Sequence, residues 1–196
     1  MFKKAQPKPA FSYPIARPYR SPSGDRRRRP IPDNIKRLYI PLTVLEATDR
    51  IMRRFGREKR ECYVWWGGSF TWDGEGQVLT ALCPEMHSEY GRIHLQTHNL
   101  TVMHSHLREI DQILLAELHT HPPGAGGQND VDAAYPAATY RGFISIVVPD
   151  FASPIFHDLR NVYVYEYLGS GGWQQLKRAE IEDRFVIEES FFSVKV

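Results

Sequence analysis

Cysteine and long apolar runs are scarce in this chain of 196 residues, and each scarcity argues against a class of protein. The two cysteines, Cys62 and Cys83, lack a CxxC spacing, which disfavours a disulfide-stapled scaffold and a cysteine-based zinc site. No apolar run approaches the roughly 20 residues of a membrane helix, and the basic amino terminus lacks the apolar segment of a secretory signal. We therefore expect a cytoplasmic protein without a membrane segment, in which both thiols are buried and structural.

Net charge is also low, at +2, yet the chain consists of two oppositely charged portions. Residues 1–60 hold 17 basic and 5 acidic residues, a net charge of +12, whereas residues 61–196 hold 8 basic and 18 acidic residues, a net charge of −10. Such asymmetry is typical of a chain with a charged docking segment.

The first 35 residues account for much of the basic charge and contain seven of the fourteen prolines. They include the run Arg26–Arg29 and have too few apolar residues to build a core, so we expect a disordered basic tail. The tail is either simply solvated or an arm that docks on an acidic protein or nucleic acid. Because the sequence signatures of nucleic-acid-binding modules are missing, nucleic acid is not the partner we expect.

Residues 36–196 alternate between strand-like and helix-like segments, which predicts one domain of the α/β (α+β) class. Apolar residues at helical spacing predict an amphipathic helix over residues 43–55, with four arginines on its outer face. Residues 179–189 fit an acidic helix and a strand equally well. Strands are further predicted at residues 37–41, 61–70, 77–83, 93–96, 112–119, 143–148 and 162–168, and helices at residues 100–111 and from about residue 131.

Two histidines at the end of an apolar strand carry the clearest chemical signal. His119 and His121 are two residues apart, so their side chains leave the strand on the same face. A loop rich in proline and glycine then leads to Asp132, which can return as a third ligand. Three protein ligands and one open position are the pattern of a catalytic zinc site. The sequence therefore predicts that His119, His121 and Asp132 bind one Zn²⁺.

A second pair with the same spacing, His104 and His106, is followed by Glu117. This pair falls in a predicted helix, where residues i and i+2 point in different directions. The residues that follow it form an apolar run rather than a flexible loop. We therefore do not expect His104 and His106 to bind a metal.

In the His119, His121 and Asp132 segment, the sequence resembles the JAB/JAMM (MPN+) metalloproteases, and in detail the prokaryotic branch that accompanies ubiquitin-like proteins. The family signature is an upstream glutamate followed by His-x-His-x7-Ser-x2-Asp. His119, His121 and Asp132 match its metal ligands, and Asn129 stands where the family has serine. An asparagine amide can still donate a hydrogen bond to an oxyanion.

The glutamate of the signature corresponds to Glu61, which follows the amphipathic helix and precedes Gly68 by seven residues. Val64 and Trp66 depart from the small and aliphatic residues that the family usually has there, which leaves Glu58 as a rival. The resemblance covers about residues 37–168. It implies an MPN/JAB-like domain in which a curved mixed β-sheet is flanked by helices.

The implied activity is zinc-dependent hydrolysis after the C-terminus of a ubiquitin-like protein, in a conjugate or a precursor. Glu61 would take a proton from the attacking water and pass it to the leaving amine, and Asn129 would stabilise the oxyanion. Partners would include E1-like and E2-like enzymes, and an antiviral conjugation system would be one setting. Processing of a sulfur-carrier protein and an inactive MPN scaffold that only binds partners are the alternatives.

Overall fold

The structure, a computed structural model, describes residues 35–71, 73–153, 158–170 and 172–189. The predicted basic tail lies outside the described residues except for Ile35. Trp72 also lies outside them.

Strands and helices alternate along the described chain, as the sequence predicts. The helices are α1 (Leu42–Arg57), α2 (Thr97–Glu109), α3 (Asp130–Ala134) and α4 (Arg178–Arg184). The strands are β1 (Arg37–Pro41), β2 (Tyr63–Phe70), β3 (Glu75–Leu82), β4 (His87–Glu89), β5 (Arg92–His94), β6 (Ile113–Thr120), β7 (Ile144–Val148), β8 (Tyr163–Gly169), β9 (Gly172–Gln175) and β10 (Phe185–Glu188).

Eight strands form one mixed sheet in the order β10-β1-β3-β2-β6-β7-β8-β9, and β4 and β5 form a separate hairpin. Strand β1 runs parallel to both of its neighbours, and β6 runs parallel to β7, whereas the remaining pairs are antiparallel. This arrangement confirms the predicted mixed sheet flanked by helices. The ambiguous residues 179–189 contain both predicted structures, because α4 leads directly into β10.

The centre of the sheet bends at two glycines of β2. The pairing of β2 with β3 and with β6 shifts register at Gly67 and Gly68. A side chain on Gly68 would lie 2.0 Å from the carbonyl oxygen of Gln77, so only glycine permits this close approach. Such bulges increase the local twist and bend the strand.

Both faces of the sheet are covered, and neighbouring residues of β2 belong to different buried clusters. Trp66 packs in the cluster that includes Leu45 and Met52 of α1, and Trp65 packs in the cluster that includes Met103 of α2. Because Trp65 and Trp66 have no exposed surface, they are core residues.

Some sequence predictions differ from the structure. Strands β4 and β9 were not predicted, because runs of three or four residues carry too little periodicity to stand out. Cys62 is buried, but Cys83 lies exposed after the end of β3, so the prediction of two buried thiols is wrong for Cys83.

Among the described residues, no helix combines the length and apolar character needed to cross a bilayer.

Candidate metal centre

The paired ends of β2 and β6 bring the predicted base next to the predicted histidine ligands. Tyr63 pairs with His119, and continuing that antiparallel register by two residues brings Glu61 opposite His121. The pairing is held beyond Tyr63, because the Thr120 amide donates to the Cys62 carbonyl oxygen at 3.0 Å. Opposite residues of an antiparallel pair share a face, so Glu61 and both histidines lie on one face of the sheet.

Three ligand atoms converge at this position. The Nε2 atoms of His119 and His121 are 3.2 Å apart, and each lies 3.3 Å from Oδ2 of Asp132. Among the described residues, these are the only three metal-ligating side chains that meet within 4.8 Å. With bonds of about 2.0–2.1 Å to zinc, neighbouring ligands of a tetrahedral site are about 3.3–3.4 Å apart. The three atoms therefore fit one face of a zinc tetrahedron and leave its fourth vertex free.

The amino-terminal end of α3 holds the third ligand. Asn129 caps the helix, since its side-chain oxygen accepts hydrogen bonds from the amides of Val131 and Asp132 at 2.8 and 3.1 Å. In return, the backbone N–H of Asn129 donates a hydrogen bond to Oδ2 of Asp132 at 2.9 Å. This capping box orients the Asp132 oxygen that faces both histidines. The cap is thus Asn129, and Asp130 is the first residue of the helix.

The loop between the histidines and α3 is attached to the sheet at several points. Nδ1 of His121 lies 3.2 Å from the carbonyl oxygen of Gly126, which leaves Nε2 to face the other ligands. The Gln128 amide donates to the Tyr165 hydroxyl at 3.0 Å, and Trp173 Nε1 donates to the carbonyl oxygen of Ala133 at 3.1 Å. Bonds of this kind restrict the orientation of metal ligands.

The main chain of His121 is held by a left-handed turn over residues 150–152. The His121 amide donates to the Val148 carbonyl oxygen at 2.9 Å, and its carbonyl oxygen accepts from the Phe151 amide at 2.9 Å. All three residues of the turn have φ between 53° and 58°, a conformation that is unfavourable for non-glycine residues. Helix α1 packs against the turn through Gly56, where a side chain would lie 2.2 Å from the Phe151 carbonyl oxygen.

Glu61 is a buried carboxylate next to this centre. Burial raises its pKa, while the nearby imidazoles of His121 and His119 lower it in part. Its amide donates to the Glu89 carbonyl oxygen at 3.2 Å, which ties it to the β4–β5 hairpin. Glu58, the rival, is exposed and bonded to Arg60 at 2.9 Å. The structure thus brings Glu61, and not Glu58, to the histidines.

The charges within the centre stabilise one another. Burial alone would raise the pKa of Asp132, but hydrogen bonds from His119 and His121 lower it well below its usual range. Burial alone would lower the pKa of His121, but the hydrogen bond with Asp132 and its charge raise it. Two imidazoles and one carboxylate form a donor set that suits Zn²⁺.

A second buried carboxylate, Glu117, supports the centre and was not singled out as a site residue. Its Oε2 accepts from the Tyr63 hydroxyl at 2.7 Å and from the Ala137 amide at 2.8 Å. Burial raises its pKa, and the hydrogen bond from Tyr63 opposes that change. Its position in an otherwise apolar strand, two residues before His119, was the available sequence signal. Glu117 fastens the segment after α3 to β6.

Comparison with known proteins finds similarity in both sequence and structure. No family model matches the chain. Over 66 residues, the chain is 38% identical to a protein of Sinorhizobium fredii described as "Probable metalloprotease y4jG". The aligned segment is 34% of this chain and 40% of the relative, so the chain corresponds to well under two thirds of that protein.

The arrangement of elements is similar to that of a solved structure. The solution structure of DSY2949 from Desulfitobacterium hafniense has a TM-score of 0.58 at 12% identity, over 79% of this chain and 95% of the other. A crystal structure of AF2198, a JAB1/MPN domain protein from Archaeoglobus fulgidus, has a TM-score of 0.42 at 12% identity, over 78% and 98%.

Over the aligned 66 residues, the chain is thus similar to a probable metalloprotease, which agrees with the metalloprotease resemblance of the motif. Its sheet and helices form the predicted α/β fold. By geometry and by donor type, the cluster of His119, His121 and Asp132 could hold a metal ion.

Proposed function

We propose that this protein is a zinc-dependent peptidase that hydrolyses the peptide or isopeptide bond after the C-terminus of a ubiquitin-like protein. The observation that carries the proposal is the triangle of ligand atoms from His119, His121 and Asp132, with edges of 3.2–3.3 Å, beside the buried Glu61. Three ligands, an open position and an adjacent carboxylate are what metal-assisted hydrolysis needs.

Each residue has a task that follows from its surroundings. His119, His121 and Asp132 would hold Zn²⁺, which supplies Lewis acidity and a water with a pKa near about 7. Glu61 would accept the proton of the attacking water on its carboxylate and deliver it to the leaving amine. Because burial raises the pKa of Glu61, the protonated form is less unfavourable than for an exposed glutamate, which suits a group that takes and returns a proton.

Asn129 has two candidate roles in this scheme. Its side-chain oxygen caps α3, and its amide N–H₂ would donate a hydrogen bond to the oxyanion of the tetrahedral intermediate. The same side chain can do both, because the cap uses only the oxygen.

The substrate class follows from the resemblance to prokaryotic JAB proteins. We propose a ubiquitin-like protein as substrate, E1-like and E2-like enzymes as partners, and the cytoplasm as the compartment, with an antiviral conjugation system as one setting. Processing of a sulfur-carrier precursor would use the same site and chemistry. An inactive scaffold is the opposing hypothesis, and the three retained ligands disfavour it.

The deciding experiment combines metal content with cleavage. The purified full chain should contain about one zinc per molecule by native mass spectrometry, and should cleave fusions to ubiquitin-like proteins encoded near its gene until a chelator is added. Glu61→Gln should keep the zinc and lose about 10²–10⁴-fold in kcat.

The matched control is Glu58→Gln, which should keep both zinc and activity because Glu58 is exposed and paired with Arg60. If Glu61→Gln remains fully active, Glu61 is not the base. A chain without affinity for zinc would instead support the scaffold hypothesis.

A further inference from the structure

Cys62 and Cys83, the two cysteines of the chain, lie next to each other in the fold. Between β2 and β3, Trp65 pairs with Leu82. Continuing this antiparallel register by one residue brings Cys83 opposite Val64, so that Cys62 is its diagonal neighbour on the same face. The Cys62 thiol donates a hydrogen bond to the Cys83 sulfur. Two free thiols are thus in contact.

The two thiols differ in exposure and in acidity. Cys83 is exposed, whereas Cys62 is buried. The hydrogen bond from Cys62 lowers the pKa of Cys83, and the charge of Arg54 lowers it further, although partial desolvation opposes both effects. Burial raises the pKa of Cys62. An exposed sulfur that favours its thiolate, beside a second protonated thiol, is the arrangement of a redox-sensing cysteine and its resolving partner.

Both cysteines are connected to the candidate base Glu61. Cys62 is the next residue, and it exchanges two hydrogen bonds with Thr120, the residue between the two histidine ligands. Its amide donates to Oγ1 of Thr120 at 2.8 Å, and its carbonyl oxygen accepts from the Thr120 amide at 3.0 Å. Cys83 begins the segment that leads to β4, where the Glu89 carbonyl oxygen accepts the Glu61 amide at 3.2 Å. A movement of either cysteine is therefore transmitted to Glu61.

A bond between the two sulfurs requires such a movement. Diagonal neighbours in antiparallel strands have Cα atoms about 7–8 Å apart, whereas the Cα atoms of a disulfide are usually about 4.4–6.8 Å apart. Cys62 packs in the buried cluster that includes Met52 of α1, on the face of β2 opposite to Glu61. Because Glu61 is its chain neighbour, drawing Cys62 towards Cys83 shifts the Glu61 carboxylate relative to the metal ligands.

We propose that Cys62 and Cys83 form a reversible disulfide that switches off the metal centre by displacing Glu61. Transient disulfides of this kind are the ones that cytoplasmic proteins use for redox sensing. The inference deepens the proposed function by naming its regulation, and it rests on that function only in taking Glu61 as the base.

Hydrogen peroxide can supply the oxidation. The Cys83 thiolate attacks one peroxide oxygen, the O–O bond breaks, and the products are a sulfenic acid and hydroxide. The Cys62 sulfur then attacks the sulfenic sulfur, the S–O bond breaks, and the departing hydroxyl takes the Cys62 proton as water. The two sulfurs together lose two electrons to the peroxide. A small thiol such as dithiothreitol reverses the change by thiol–disulfide exchange.

The test uses the purified full chain, loaded with zinc and treated with hydrogen peroxide. Mass spectrometry without reductant should show the loss of two hydrogen atoms, and peptide mapping should place the new bond between Cys62 and Cys83. Over the same time course, kcat should fall about 10–100-fold while zinc stays bound, and dithiothreitol should restore it. The Thr120 amide should exchange faster with deuterium in the oxidised protein, because its hydrogen bond to Cys62 is disturbed.

Cysteine variants are the matched controls. Cys83→Ser should be as active as the parent under reducing conditions and should keep its mass and activity in peroxide. Cys62→Ala should instead gain oxygen at Cys83, because the resolving thiol is missing. Arg54→Gln should slow disulfide formation about two- to fivefold, since it removes a charge that favours the thiolate, whereas Arg50→Gln should leave the rate unchanged.

The outcomes separate the inference from the proposed function. Peroxide treatment that leaves both thiols free, or a disulfide that changes neither kcat nor Thr120 exchange, would overturn the inference, while cleavage that a chelator abolishes would still support the peptidase. An equal loss of activity in peroxide-treated Cys83→Ser would also overturn it. A chain that never cleaves, yet forms the disulfide and exchanges Thr120 faster, would contradict the peptidase and support the link between the cysteines and the metal centre.

Discussion

Two His-x-His pairs in one chain have the same spacing and opposite surroundings. His119 and His121 stand at the end of β6, and their Nε2 atoms approach to 3.2 Å. His104 and His106 stand in α2, where His104 packs against Trp65 with 4.6 Å between ring centroids and His106 faces Glu109 at 3.9 Å. A period of two residues aligns side chains in a strand and separates them in a helix.

The comparison shows that a His-x-His spacing brings two imidazoles together only in a strand, and that a metal site also needs a third ligand and contacts that hold the ligands in place. The strand pair has a third ligand on a capped helix and a clamped main chain at His121. The helix pair has neither among the described residues, and burial together with the charge of Arg108 lowers the pKa of His104. Glu117, the carboxylate that follows the helix pair in sequence, is bonded to Tyr63 instead.

The largest expected effect separates the two pairs directly. His119→Ala should remove bound zinc and at least about 10³-fold of the activity, because two ligands no longer define a catalytic zinc site. His104→Ala should keep both, since His104 only packs against Trp65. Zinc content by mass spectrometry and cleavage of a fusion substrate measure the two effects. Loss of zinc in His104→Ala would show that the helix pair also binds metal.

A smaller effect is expected at the cap that supports Asp132. Asn129→Ala should weaken zinc binding about 10–100-fold, because it removes a group that orients a ligand, and should lower stability by about 1 kcal/mol. Competition with a chromophoric chelator gives the affinity.

Asn129→Asp distinguishes the two roles of this residue. Aspartate can accept the same capping bonds but cannot donate to an oxyanion, so zinc affinity should persist while kcat falls. Unchanged kcat in Asn129→Asp would restrict Asn129 to capping. Asn129→Ser should keep both functions in part, since a hydroxyl accepts and donates.

The smallest expected effect on the metal tests the clamp at His121. Gly56→Ala places a methyl group against the Phe151 carbonyl oxygen, so the left-handed turn must shift. We expect a loss of about 1–3 kcal/mol in unfolding free energy, from overpacking, and a loss of zinc affinity below about tenfold. Chemical denaturation and chelator competition measure the two. An unchanged zinc affinity despite the lost stability would show that the turn does not position His121.

The longer elements follow from sequence patterns, whereas contacts between distant segments do not. The amphipathic spacing of residues 43–55 predicts α1, and the apolar run of residues 143–148 predicts β7. Residues 179–189 could not be assigned because α4 and β10 meet there without a turn signal. The left-handed turn at residues 150–152 contains no glycine, so the sequence offers no signal that predicts it. The turn forms because contacts with α1 and with His121 stabilise it.

For the candidate site too, some properties could be predicted from the sequence and others could not. The types and spacing of His119, His121 and Asp132 are local properties, so the ligand chemistry could be predicted from the sequence alone. Which of Glu61 and Glu58 lies beside the histidines depended on the register between β2 and β6, which lie about 50 residues apart in the chain. The raised pKa of Glu61 and the roles of Phe151 and Glu117 arise from burial and long-range hydrogen bonds.

The sequence by itself determined which atoms can bind a metal and that two of them leave a strand on one face, because side-chain alternation needs only neighbouring residues. Tertiary structure alone decided which carboxylate lies beside them and which hydrogen bonds hold the candidate ligands. Those properties depend on strand register, helix capping and desolvation, which are established only when distant parts of the chain pack together.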